Sequence, residues 1–281
     1  MAGRTVWYPG HMASGERELS KLVDKLDLIV EIRDARAPKL TSSPIIKRLS
    51  KLRPIVVVLS KRDLASEEGT VAWLEYFKST GTSAWAFNMK DAKLEPMMKT
   101  LMKMRPPHRE LRLAVVGIPN VGKSFFLNLL VGKSAAQVGG IPGITRGVSW
   151  YKGNGLLVVD SPGILDPHSG EEIQRQLSWL GCTKTEVIGG YESMGLYLID
   201  FLRKNYLLNI LENKWDIKTR SEQEGEYETQ EILRQIGIRL GCLVSGGNIN
   251  LELAGRRLVE SFSTGKLGSV TIEYPNKSGN G

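Results

Sequence analysis

The sequence predicts a doubly wound α/β domain followed by a small all-helical one. Three observations carry this expectation. Residues 1–165 alternate compact β-branched runs with amphipathic stretches, the pattern of a mostly parallel sheet covered by helices. A glycine-rich string ending in Gly122-Lys123-Ser124 stands at one strand-to-helix junction, where backbone N–H groups converge on an anion. Beyond about residue 170 the strand pattern stops and helical periodicity remains.

The elements follow in order. Leu28-Ile29-Val30-Glu31-Ile32, Ile55-Val56-Val57-Val58-Leu59 and Leu113-Ala114-Val115-Val116 have the makeup of strands buried on both faces. Ser66 is placed to cap a helix carrying Val71, Trp73, Leu74 and Phe77. A helix around 92–103 puts Leu94, Met97, Met98 and Leu101 on one face, and Arg105-Pro106-Pro107-His108-Arg109 breaks it and reads as a linker. A hairpin is expected from Val148-Ser149-Trp150-Tyr151, a Gly153-Asn154-Gly155 turn and Leu156-Leu157-Val158-Val159. Helices alone are expected afterwards, at 171–180, 193–212, 226–240 and 248–263. The last carries Leu251, Ala254, Leu258 and Phe262 on one stripe, and the acidic 222–228 run is a solvated loop or helix start. The expected domains are 1–168 and 169–281.

Composition narrows the function classes. The chain has 281 residues, 41% of them apolar and 24% charged, ordinary values for a globular protein with a real core. No apolar run approaches the roughly 18 residues of a membrane span. The N-terminus leads into no secretory signal, and Cys182 and Cys242 lack metal-ligand spacing, so a reduced, cytoplasmic setting is expected. Residues 1–165 hold 25 Lys/Arg against 14 Asp/Glu, whereas 166–281 hold 13 against 16. The overall +8 charge makes a polyanionic partner such as nucleic acid plausible.

The chemistry lies in three strings. Gly117-Ile118-Pro119-Asn120-Val121-Gly122-Lys123-Ser124 has the spacing of a phosphate loop, in which side chains on the glycines would block the wrapping of the phosphates. Asn120, Val121, Gly122, Lys123, Ser124 and Phe125 are expected around the phosphates. Lys123 would reach the β/γ oxygens as a catalytic group, and Ser124 would ligate Mg²⁺. Asp160-Ser161-Pro162-Gly163 ends a strand downstream. Asp160 is expected at the Mg²⁺ and the Gly163 N–H at the γ-phosphate, while Thr145 is a candidate switch threonine completing the metal shell. Ser60-Lys61-Arg62-Asp63 supplies base specificity: the Asp63 carboxylate accepts from guanine N1–H and the 2-amino group, donors that adenine lacks. The Lys61 stem is expected over the base, and the Asn88-Met89-Lys90 backbone at the guanine carbonyl. These parts form a complete GTP site, but the base string comes before the phosphate loop instead of after it.

That rotated order, with Tyr8-Pro9-Gly10-His11-Met12 and Asp34-Ala35-Arg36-Ala37-Pro38, resembles the YlqF/RbgA family of circularly permuted GTPases over essentially the whole chain. The resemblance implies a permuted GTPase domain and a helical RNA-binding domain. It also implies GTP hydrolysis in assembly of the large ribosomal subunit, with pre-50S particles and ribosomal RNA as partners. A monomer is expected. Where the family's base motif usually begins with Asn, this chain has Ser60. Serine is too short for the same pair of contacts to guanine N7 and the phosphate loop, so weaker affinity is expected. Asn88-Met89 replaces the family's Ser/Ala-type base loop. If RNA is bound, Arg256-Arg257 and the basic GTPase domain must do much of the binding.

Ordinary small GTPases place a water-orienting glutamine after Asp-x-x-Gly, and here Ile164 follows. The resemblance makes His11 its substitute. Asn120 is a candidate K⁺ ligand, and such a cation would offset transition-state charge. Residues 163–170 run from the phosphate sensor directly toward the helical domain, a junction where hydrolysis could act as an order–disorder switch. The alternative is a switch that keeps GTP as a structural ligand without turnover; Asp63 argues against a third reading, an ATP-using enzyme.

Overall fold

The computed structural model describes residues 10–88, 91–132, 136–138, 149–166, 169–183, 189–221 and 225–276, without the side chains of 10–14, 136–138, 221 and 225–226. The described residues form two compact units: 169–269 make one, and 10–166 together with 270–276 make the other.

The larger unit begins with α1 (Gly10–Leu22), β1 (Leu28–Asp34), α2 (Ile46–Leu49) and β2 (Ile55–Ser60). It continues with α3 (Glu67–Ser79), β3 (Ser83–Ala86), α4 (Glu95–Lys103), β4 (Leu111–Val116) and α5 (Lys123–Val131). It ends with β5 (Ala136–Val138), β6 (Trp150–Gly153) and β7 (Leu156–Asp160). One sheet has the order β3-β2-β1-β4-β7-β6-β5, with β6 antiparallel to both its neighbours and the other pairs parallel.

Alternation along the strands explains the two layers. Ile29, Ala114, Val116, Leu157 and Val159 pack with Leu19, Leu22 and Val23 in one cluster, and Val57 and Leu59 meet Trp73 and Phe77 of α3. The intervening Leu28, Val30, Leu113, Val115 and Val158 are equally buried. A sheet sealed on both faces needs such unbroken apolar strands. The chain builds outward from β1 to β2 and β3, then restarts at β4 on the other side of β1. The crevice above β1 and β4 is therefore a topological switch point, where α/β sheets bind ligands.

The linker is anchored at this restart. Arg109 forms a two-pronged ion pair with Asp27 at 2.6 and 2.7 Å, and the Arg112 N–H donates to the same carboxylate at 2.8 Å. The Gly153-Asn154-Gly155 turn closes the expected hairpin, with Asn154 and Gly155 at φ 49° and 74°.

The smaller unit contains α6 (Glu171–Trp179), α7 (Gly190–Lys204), α8 (Asn209–Trp215), β8 (Arg220–Ser221), β9 (Gly225–Glu226), α9 (Thr229–Arg239) and α10 (Leu251–Ser263). α7 and α10 cross closely because both contribute glycine: a Cβ on Gly195 would lie 2.9 Å from Gly255 Cα, and one on Gly255 2.1 Å from the Tyr191 carbonyl oxygen. The Glu252 carboxylate accepts the Tyr191 and Glu192 N–H groups, each at 2.8 Å, and so caps α7.

Three sequence expectations need correction. The single helix at 193–212 is two, because the chain turns at Tyr206, whose φ of 57° no α-helix accommodates. The region beyond 170 is not helices alone, since β8 and β9 pair across the acidic segment. The 169–281 domain does not include its last described stretch: residues 270–276 return to the larger unit, where the Val270 and Ile272 N–H groups donate to the Leu64 and Arg36 carbonyls.

Candidate nucleotide site

The phosphate loop joins the end of β4 to the start of α5, as its motif requires. Gly122 has φ 99° and Asn120 φ 58°, so successive N–H groups turn toward the mouth of the loop. Gly117 is required by close approach, since a Cβ there would lie 2.6 Å from the Ile32 carbonyl oxygen. Val121 is buried, whereas Ser124 and Phe125 at the start of α5 are exposed. The Lys123 ammonium donates to the Ile118 carbonyl at 2.9 Å, lying across its own loop.

Asp160 ends β7 and faces this loop. Its Oδ2 accepts from the Ser124 hydroxyl at 3.4 Å, while Oδ1 is buried without a hydrogen-bond partner among the described residues. Burial pushes its pKa up, against the pull of Lys123 and Ser124. A desolvated carboxylate with one open oxygen beside a serine hydroxyl suits a hard divalent cation, so the donor set fits Mg²⁺. Gly163 backs onto the phosphate loop: a Cβ there would fall 2.7 Å from Pro119 N, and the Ile164 N–H lies 3.4 Å from the Gly117 carbonyl oxygen. Ile164 itself is buried in the cluster formed with Leu19 and Leu22 of α1, so it points away from solvent and any attacking water.

The base string follows β2, two strands over. Ser60 is fully buried, and its hydroxyl lies 2.6 Å from the Val121 carbonyl and 3.0 Å from the Arg33 carbonyl. Of the pair of contacts expected of an asparagine here, to guanine N7 and to the phosphate loop, serine makes the one to the loop. Buried between the two loops, Ser60 keeps that contact as a donor to the main chain. Lys61 adopts the left-handed conformation at φ 53°, an arrangement that needs support in a non-glycine residue. The support is an ion pair at 3.0 Å with Asp34, which also binds Arg36 through two contacts at 3.0 and 2.8 Å. Burial pushes the Asp34 carboxyl up, but Arg36 and Lys61 outweigh it and hold its pKa at about 2. Arg62 and Asp63 follow in a 3₁₀ turn, both exposed, with the Arg62 N–H bonded to the Phe87 carbonyl at 3.2 Å. Phe87, the residue before Asn88, stacks on Phe126 of α5 at 6.2 Å.

The structure thus joins the Ser60, Lys61, Arg62 and Asp63 string to the loop of Asn120, Val121, Gly122, Lys123, Ser124 and Phe125 through the Ser60–Val121 bond, sets Phe87, just before Asn88, on Phe126, and packs Asp160 and Gly163 against the same loop. Met89, Thr145 and the side chain of His11 lie outside the described residues. The backbone of His11 is in α1, one turn before Gly15. Gly15 touches the Asp-Ser-Pro-Gly string so closely that a Cβ would lie 1.8 Å from Pro162 Cγ.

Two features went unread in the motifs. Asp34 marked only a resemblance, and nothing in its spacing to Arg36 announced the buried ion pair that the two form. The alternating Val270-Thr271-Ile272-Glu273-Tyr274, after Gly265 and Gly268, ends the helical periodicity and marks a segment that leaves the helical region. The suggested RNA-binding pair Arg256-Arg257 is exposed on α10, where Arg256 pairs with Glu260 at 2.9 Å and Arg257 donates to the Leu240 carbonyl.

A family model described as a 50S ribosome-binding GTPase matches residues 112–200, a span holding the phosphate loop and Asp160–Gly163 but not Ser60–Asp63. Ribosome biogenesis GTPase A of Bacillus licheniformis is 32% identical over 285 residues, covering 96% of this chain and 98% of the relative. The protein of the same name from Thermotoga maritima is 32% identical over 271 residues, covering 96% and 94%. GNP-bound YlqF from T. maritima superposes with a TM-score of 0.65 at 25% identity, over 94% of this chain and 99% of that one. Its GDP-bound structure gives 0.67 at 26%, over 93% and 100%. At 32% identity over nearly the whole of both chains, the chain belongs to the ribosome biogenesis GTPase A family.

Proposed function

We propose that this GTPase assists assembly of the large, 50S ribosomal subunit in the cytoplasm, binding its precursor and ribosomal RNA as a monomer in a nucleotide-dependent manner. The observation that carries the reading is the convergence of the base string and the phosphate loop on one rim, joined by Ser60 and Val121. The names of the relatives and the basic larger unit point the same way. The exposed Arg256 and Arg257 add a smaller basic contribution from α10.

In this reading Asp63 accepts from guanine, Lys61 flanks the base, and the Asn88-Met89 backbone meets the guanine carbonyl. The loop N–H groups and Lys123 hold the phosphates. Ser124, Asp160 and Thr145 hold Mg²⁺, which supplies charge neutralisation on the β/γ oxygens. His11 orients the attacking water, since Ile164 is committed to the core. Asn120 holds a K⁺ ion, and equal turnover in Na⁺ and K⁺ buffers would remove that part. Residues 163–170 pass the nucleotide state on toward the helical unit.

Co-sedimentation with 50S particles and their precursors tests the reading. Retention with a non-hydrolysable GTP analogue and release with GDP is expected. Equal binding in both states, or none in either, would contradict it.

A further inference from the structure

Residues 270–274 leave the helical unit and return to the loops on either side of Lys61–Asp63. The Val270 N–H donates to the Leu64 carbonyl at 2.9 Å, one residue after Asp63. Thr271 Oγ1 accepts from the Ser66 N–H at 3.1 Å and lies 2.8 Å from the Ser66 hydroxyl. That hydroxyl caps α3 by accepting from the Gly69 N–H. The Ile272 N–H donates to the Arg36 carbonyl at 2.9 Å. The Glu273 carboxylate accepts the Leu40 N–H at 2.8 Å and that of Lys39, and its carbonyl accepts the Trp73 indole N–H at 2.9 Å. Gly69 makes room for this segment, since a Cβ there would lie 2.3 Å from Thr271 Oγ1.

The two loops held this way are the ones that set the base string. One carries Arg36, which grips Asp34, which in turn pairs with Lys61. The other carries Arg62–Leu64, a single 3₁₀ turn entered through a left-handed lysine. Such a turn has weak hydrogen-bond geometry and cannot fix an exposed carboxylate by itself. Recognition by paired hydrogen bonds tolerates misplacement of only about 0.5 Å, so the supporting contacts decide how well guanine is read. We propose that Thr271 and Glu273 are positioning residues for guanine recognition. The segment 270–274 clamps the two loops so that Asp63 meets the base in register. The proposal rests on the reading of Asp63 as the guanine acceptor.

The test uses the full chain carrying Thr271→Val, Glu273→Ala, Glu273→Gln or Asp63→Ala. It measures release of a fluorescent GDP, competition between GDP and IDP, and melting without nucleotide. IDP lacks the 2-amino group, so the GDP-over-IDP preference reports the Asp63 contact itself. Thr271→Val and Glu273→Ala are expected to speed GDP release about tenfold and to narrow that preference severalfold, as loss of one or two supporting hydrogen bonds would. Glu273→Gln, whose amide oxygen still accepts both N–H groups, is expected to stay near wild type. Unchanged release and preference in the first two variants, whatever their melting temperatures, would overturn the proposal. Asp63→Ala with an undiminished GDP preference would instead overturn the base reading, and the proposal with it.

Discussion

Ser60 donates its hydroxyl proton to the main chain of the phosphate loop, with its oxygen 2.6 Å from the Val121 carbonyl. The proposed base string and the phosphate loop are far apart in chain order, yet they share this buried bond. It explains how a permuted chain keeps one nucleotide site. The strands carrying the two strings are both hydrogen-bonded to β1, and Ser60 closes the gap above it.

Ser60→Ala leaves the Val121 carbonyl buried without this donor. A loss of about 1–3 kcal/mol in stability is expected, together with weaker binding of GDP and GTP alike. Urea denaturation and nucleotide titration check both. Ser60→Asn introduces a larger side chain into a fully buried position and is expected to destabilise the protein instead of restoring a tighter site.

Asp34 makes stability pH-dependent. Its folded pKa of about 2 lies below the ordinary 3.8, so the stabilisation is complete above about pH 4 and is lost as pH falls toward 2. Unfolding measured between pH 6 and 2 should show that slope in the wild type and a shallower one in Asp34→Asn. Asp34→Ala, which leaves Arg36 buried without its carboxylate, should cost about 3–5 kcal/mol at neutral pH.

Gly15→Leu tests the contact between α1 and the Asp-Ser-Pro-Gly string. Alanine or leucine normally favours a helix over glycine by about 1 kcal/mol, but a Cβ 1.8 Å from Pro162 Cγ cannot be accommodated in place. α1 must shift and carry His11 with it. Turnover should fall at least tenfold while GDP affinity changes little, as read by phosphate release beside nucleotide titration.

Much of this architecture was legible in the sequence, for physical reasons that can be named. The β-branched runs of β1, β2 and β4 could be buried on both faces only in a parallel sheet. The Gly-Lys-Ser string needed a strand before it and a helix after it, and has both. What could not be read were properties of pairs distant in the chain. Nothing near Ser60 announces Val121, and nothing near Glu273 announces Lys39. Tyr206 hid the break between α7 and α8, because a lone tyrosine is no helix breaker by propensity. Ile164 was recognised as a missing glutamine, but its place in the core depends on α1 folding over it.

Asp160→Ala removes the open carboxylate oxygen beside Ser124. Hydrolysis should then require far more Mg²⁺, at least tenfold, with GDP binding in chelator unchanged. A Mg²⁺ titration of single-turnover hydrolysis separates this from simple misfolding.

The most direct test of the central claim is multiple-turnover phosphate release from GTP with and without 50S particles, using wild type, Lys123→Ala and His11→Ala. The account predicts slow release by the wild type alone, strong stimulation by 50S particles, and loss of the stimulated rate in both variants with nucleotide still bound by His11→Ala. A wild-type rate that 50S particles leave unchanged, at or below one turnover, would contradict it and make the protein a GTP-liganded switch.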